Sequence, residues 1–166
     1  MIESTPCVML TLDTSTTSSG IAIFHNGILQ KANLINLSNE KDSEKRVKQM
    51  ALELLELLNL YCPQIIYIED VKVVRNAITM RQLMRIQGVI LGWSLQHDCE
   101  FNIIAPTVWR KILSFEQGKM ERNELKMKAI EYVKEKYEIE TNDDVAEAIC
   151  IGDAVIKMFE CLQNNE

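Results

Sequence analysis

Apolar and polar positions along this chain alternate in blocks of two different periods. Val8-Met9-Leu10-Thr11-Leu12 is a mainly apolar run that ends in Asp13; six Ser/Thr residues and Gly20 follow, and Ile21-Ala22-Ile23-Phe24 opens a second run. The pattern predicts two strands of one hairpin with Asp13 near the end of the first. His25-Asn26-Gly27 signals another turn, and Ile28 to Leu34 a third strand. After a polar stretch from Ser38 to Ser43, Val47, Met50, Ala51, Leu54, Leu55 and Leu58 recur at helical spacing, and Pro63 closes that segment. Ile65-Ile66-Tyr67-Ile68 is short and apolar, reads as a buried parallel strand, and again ends in carboxylates, Glu69 and Asp70.

A strand, a helix and a further buried strand predict a βαβ crossover that sets the last strand beside the first. Glu69 would then lie near Asp13 at the carboxyl ends of the strands, where ligand sites of such sheets form. A long helix is expected over Ala77 to Gln96. Its Gly88 and Gly92 share one face, suited either to close packing on the sheet or to close contact with a helix of a second copy. Phe101 to Ala105 predicts a last strand stopped by Pro106. A short helix from Thr107 to Leu113, a polar connection from Ser114 to Arg122, a charged helix to Tyr137 and a final helix from Asp143 to Cys161 complete the chain. The expected architecture is α/β: a five-stranded mixed sheet, three strands antiparallel and then two parallel, flanked by helices in one domain spanning 1–166. Residues 163–166 are expected to fray.

Composition narrows the function classes. Hydrophobic residues make up 47% and charged residues 25% of the 166 positions, as in an ordinary globular domain able to bury a substantial core. No uninterrupted apolar run approaches the roughly 18 residues of a membrane helix, and the first residues lack a signal-peptide pattern, so a cytoplasmic protein is expected. Cys7, Cys62, Cys99, Cys150 and Cys161 are scattered without a paired spacing and read as reduced core thiols. His25 and His97 are too isolated for a zinc site, which leaves a hard-cation site built from Asp and Glu. A net charge of −6 counts against a simple nucleic-acid coat protein.

The final helix sharpens that possibility. Val145, Ala148, Ile149, Gly152, Ile156 and Phe159 form an apolar stripe, and Asp144 and Glu147 flank it together, about 60° apart. Asp143 lies within about 40° of Glu147 and stays a candidate beside Asp144. Asp153 falls on the opposite flank and is expected to be solvated. Acids in a first helical turn commonly serve the helix dipole. Here they join Asp13 and Glu69 at the ends of packed elements, and a cluster of acids repels itself unless cations neutralise it. Two Mg²⁺ ions, with Mn²⁺ as a substitute, would do so, and the corresponding chemistry is phosphodiester hydrolysis.

The order and spacing of Leu12-Asp13-Thr14-Ser15 through Ser19-Gly20, of Ile68-Glu69, and of Asp144-Val145-Ala146-Glu147-Ala148-Ile149-Cys150-Ile151-Gly152 resemble the RuvC-type Holliday junction resolvases of the RNase H-like superfamily, in particular their shorter phage relatives. The resemblance spans most of the chain. It implies an RNase H-like fold, a homodimer, cleavage of four-way junctions or of forks and flaps, and Asp13, Glu69, Asp144 and Glu147 as the catalytic, metal-binding acids. The chain departs from that family at Glu147, where Asp is usual. It departs again at Val71-Lys72-Val73-Val74-Arg75, where relatives often carry an aromatic. Lys72, Arg75, Arg110, Lys111, Lys119 and Arg122 are the expected DNA contacts; Lys119 and Arg122 resemble the family's DNA-contacting lysines in placement. Trp109 is suited to stacking on a base or to core packing. Two other readings compete. One is an actin/sugar-kinase-like fold of the tRNA-modification type, which explains the hairpin but not Glu69 or the Asp144/Glu147 pair. The other is a junction-binding protein that does not cleave.

Overall fold

In the computed structural model, residues 7–71, 76–115, 118 and 120–163 are described. Lys72, Arg75 and Lys119, three of the expected DNA contacts, lie outside them. Strands β1 (Val8–Asp13), β2 (Ser18–His25) and β3 (Ile28–Asn36) form an antiparallel meander. Helix α1 (Ser43–Tyr61) crosses to β4 (Ile65–Glu69), which pairs parallel with β1, and α2 (Ala77–Gln96) crosses to β5 (Glu100–Ile104), parallel to β4. The sheet order is β3-β2-β1-β4-β5, the predicted mixed sheet. Helices α3 (Pro106–Ile112), α4 (Arg122–Tyr137) and α5 (Asp143–Gln163) follow.

Local chemistry accounts for the boundaries. Asn26 and Gly27 both have positive φ (50° and 77°), the conformation of a two-residue type I′ hairpin loop. The Asp42 carboxylate caps α1 by accepting from the backbone N–H groups of Glu44 and Lys45. At its other end Cys62 takes the left-handed conformation that terminates a helix, just before Pro63. Asn76 caps α2 in the same way, and a Glu121/Glu124 capping box starts α4.

The strand period of two divides the core into two layers. Leu10, Leu12, Ile66 and Ile68 point to one face, under α1 and α2, with Ile86, Ile90 and Trp93. Met9 and Tyr67 point to the other, with Trp109, Ile149 and Val155. Asp13 continues the Met9–Thr11 side and Glu69 the Tyr67 side, so both acids emerge on the α3/α5 face. Thr11 holds that face down by donating its hydroxyl hydrogen bond to the Ala148 carbonyl at 2.7 Å.

Helix α5 lies unusually close to β2. A Cβ on Gly20 would stand 1.9 Å from the Asp144 carbonyl oxygen, and one on Gly152 would stand 2.1 Å from the Phe24 ring. Burial of α5 is broader than the predicted stripe: every residue from Val145 to Val155 is buried, because α4 covers the side that the sheet does not. Asp153, expected in solvent, is therefore 4% exposed; it accepts from the Tyr137 hydroxyl at 2.5 Å and pairs with Lys136 at 2.9 Å. Gly88 and Gly92 do not pack on the sheet, as nothing lies within 4 Å of where a Cβ would be. Cys99 and Cys150 are core thiols, whereas Cys62 and Cys161 are exposed. No helix among the described residues is long and apolar enough to cross a membrane.

Candidate active site

The carboxyl ends of β1 and β4, helix α3 and the starts of α4 and α5 meet around a cleft of about 280 Å³. Its lining includes Asp13, Glu69, Asp144 and Glu147, with Asp70, Arg110, Arg122 and Lys126. Register explains the first pair: Leu12 stands opposite Ile68 on the parallel neighbour, so the next residues, Asp13 and Glu69, end adjacent strands side by side. Gly20 explains the third. Opposite Asp13 in the β1–β2 ladder, it lets the α5 backbone descend onto β2, which delivers Asp144 to the same strand end. Glu147, one helical turn further, faces the cleft from the buried side of α5.

Each outer carboxylate has its own partner. Glu69 accepts from the Trp109 indole N–H at 2.9 Å, Glu147 pairs with the Arg110 guanidinium at 2.7 Å, and Asp144 accepts from the Ser18 hydroxyl. Asp143 is salt-bridged to Lys126 and does not line the cleft, so of the two neighbouring candidates Asp144 is the one the fold brings in. Burial pushes the Asp143 carboxyl up, but Lys126 outweighs it and holds the carboxyl below its ordinary value. Burial likewise opposes the Lys126 ammonium, and the Asp143 pair outweighs it and raises the group.

Asp13 is in the opposite situation. Burial raises its carboxyl well above the ordinary range, and repulsion from Glu69, Glu147 and Asp144 raises it further, with a hydrogen bond to Glu147 adding to the effect. Asp144 is also raised, by burial first, against the lowering effect of Ser18. The lining holds more carboxylates (Asp13, Glu69, Asp70, Asp144, Glu147) than cationic side chains (Arg110, Arg122, Lys126). Two carboxylates about 4 Å apart repel by about 4 kcal/mol at an effective dielectric of 20. Such a set is suited to hard cations, which take oxygen donors. Among the described residues, no three carboxylates, imidazoles or thiols stand close enough together to enclose an ion as they are arranged. Arg110 and Ser18 engage Glu147 and Asp144 instead, so these side chains must turn toward a cation to ligate it.

The basic residues divide. Arg110 is 7% exposed with its Nε unpartnered among the described residues, so its charge belongs to the cleft and not to the outer surface. Lys111 is exposed on α3; Arg122 is exposed at the start of α4 and reaches the cleft edge. Trp109 is fully buried, which removes it as a base-stacking platform. Sequence reasoning missed its hydrogen bond and the role of Ser18. Ser18 opens β2 within a Ser/Thr-rich stretch with no pattern that distinguishes it, and the indole contact depends on the placement of α3.

The family model for crossover junction endodeoxyribonuclease RuvC matches residues 9–153. Among solved structures, Thermus thermophilus RuvC in complex with a Holliday junction substrate is 14% identical, with a TM-score of 0.71 over 93% of this chain and 96% of that one. The fowlpox virus resolvase, in complex with substrate Holliday junction DNA, is 15% identical, with a TM-score of 0.64 over 92% and 98%. The yeast mitochondrial Holliday junction resolvase is 13% identical, with a TM-score of 0.62 over 95% and 81%. No curated protein matches the chain.

Proposed function

The chain belongs to the RuvC family of crossover junction endodeoxyribonucleases, and from that premise we propose that it cuts four-way DNA junctions symmetrically as a homodimer, using two Mg²⁺ ions. The observation that carries the reading is the convergence of Asp13, Glu69, Asp144 and Glu147 on one cleft. In this reading those four residues hold the ions, and Mn²⁺ would substitute for Mg²⁺. When bound, such ions activate water and stabilise the departing 3′ oxygen.

The chain's own groups do the rest. Asp13, at the end of the central strand, is the acid that the other three surround. Arg110 is held beside Glu147, where its guanidinium would offset part of the acid charge and face a phosphate brought into the cleft. Lys72, Arg75, Lys111, Lys119 and Arg122 would contact phosphates of the bound DNA, and binding should then weaken steeply with salt. Residues 1–166 are read as one nuclease domain.

Symmetric cutting requires two such centres. Helix α2 is suited to joining them: Met84 (52% exposed), Leu91 (41%) and Leu95 (77%) lie with Gly88 and Gly92 on an apolar stripe that nothing in the chain covers among the described residues. The kinase-like reading leaves Glu69 and the Asp144/Glu147 pair without a role.

The test is cleavage of a labelled four-way junction beside a matched linear duplex, with Mg²⁺ and with EDTA. Paired symmetric nicks on the junction are expected, absent with EDTA. Asp13→Asn should abolish cutting and retain junction binding. Binding with no cut in Mg²⁺ or Mn²⁺ would replace this reading with the non-cleaving binder, and a monomeric mass with and without DNA would remove the dimer.

A further inference from the structure

Glu69 is the last residue of β4, and its side chain has three torsions with which to evade the other acids. Among the described residues, α3 restrains it. β5 pairs with β4 up to Glu69 opposite Ile104, so the chain leaving β5 turns at Ala105 and Pro106 and starts α3 directly beside the Glu69 carboxylate. Trp109 is 0% exposed, its ring fixed edge-on by Phe115 at 5.9 Å and covered by the Arg110 guanidinium 4.8 Å from the ring centroid. From this fixed ring the indole N–H reaches Glu69 Oε1 at 2.9 Å. An indole has one donor and no charge.

We infer that Trp109 is a positioning residue: its indole N–H holds the Glu69 carboxylate at the cation site without competing for the cation. This rests on the reading of Glu69 as a metal ligand. The contrast with the next residue supports it. Arg110 also binds an acid of the cleft, but as a full positive charge that offsets Glu147. Trp109 orients its acid and leaves the negative charge in place. Partners that orient a metal ligand typically change metal affinity about 10–100-fold when removed.

The experiment measures Mn²⁺ binding to the DNA-free protein by electron paramagnetic resonance, for the wild type, Trp109→Phe and Asp13→Asn, with unfolding midpoints taken in parallel. Trp109→Phe is expected to weaken Mn²⁺ about tenfold and to raise by a similar factor the Mg²⁺ needed for half-maximal cleavage, with kcat at saturating Mg²⁺ largely retained. Wild-type Mn²⁺ affinity in a folded Trp109→Phe, while Asp13→Asn loses it, would overturn this inference and leave the metal-centre reading standing. Unchanged affinity in Asp13→Asn would overturn both. If Trp109→Phe does not fold, Trp93→Phe decides, since it leaves Trp109 as the only indole. Its emission should change on adding Mg²⁺, and that change should vanish when Glu69→Gln is added. Emission indifferent to Mg²⁺ in a protein that binds the ion overturns the assignment.

Discussion

Helix α5 carries two buried carboxylates, Glu147 and Asp153, each 4% exposed, that meet opposite conditions. Asp153 lies between α5 and α4, where the Tyr137 hydroxyl donates at 2.5 Å to one oxygen and the Lys136 ammonium stands 2.9 Å from the other. In exchange, burial and the Asp153 charge push the Tyr132 and Tyr137 hydroxyls well above their ordinary values, so both stay neutral. Glu147 pairs with Arg110 and shares a cleft with Asp13, Glu69 and Asp144. A buried acid given a hydroxyl donor on one oxygen and a nearby ammonium for the other, as Asp153 is, belongs to the scaffold. One buried among other acids needs a charge from outside the chain.

Four measurements would break or sharpen that contrast. The largest effect is expected on cleavage: Glu147→Gln should lower the single-turnover rate at least about 100-fold, beyond the usual loss of an outer partner. Asp153→Asn should leave the rate per folded molecule within about twofold; equal losses in the two variants would erase the distinction. Next comes Gly20→Ala. Its added methyl would have to displace the Asp144 backbone, which stands 1.9 Å from it. Overpacking of this kind costs about 1–3 kcal/mol, or roughly 2–4 °C in Tm per kcal/mol for a chain of this size; Mn²⁺ affinity should fall with it. Tyr137→Phe deprives Asp153 of its donor, with an expected loss of about 1–3 kcal/mol by urea denaturation and unchanged cleavage.

The smallest effect has the most informative sign. The Asp13 carboxyl titrates above its unfolded value, so the folded chain holds that proton more tightly. Ionisation then erodes stability as pH rises from about 4 through the raised value. Asp13→Asn has no such loss. In EDTA it should be slightly more stable than wild type at pH 7–8, with the gap closing toward pH 4. Saturating Mg²⁺ should reverse the order, because only the wild type gains from binding the ion. Urea midpoints at pH 4, 5.5 and 7.5, with and without Mg²⁺, check both statements.

Much of the acidic cleft was legible because it rests on period and register. Alternation along β1 and β4 fixes the face on which Asp13 and Glu69 emerge, and the crossover fixes their adjacency. What was not legible depends on how helices seat on one another. Asp153 reads as solvated until α4 is laid over it. Arg110 reads as a surface cation until α3 is tucked under α5, where it meets Glu147. Asp143 and Asp144 are neighbours in sequence, and Lys126, from a different helix, separates them. The glycines of α2 allowed packing on the sheet or on a second copy, and the open space beside them removes the first.

The contact between Gly20 and the Asp144 backbone also bears on the order in which the protein is made. Asp13, Gly20 and Glu69 leave the ribosome long before Asp144 and Glu147, which arrive with α5. Until α5 emerges, β2 has no cover on that face and Phe24 has no Gly152 to pack on. A nascent chain therefore holds only half of its acids, on a sheet with one side exposed. The same docking event that seals the sheet delivers the remaining carboxylates, so a chain stalled during synthesis would have neither a finished core nor a complete acidic cleft.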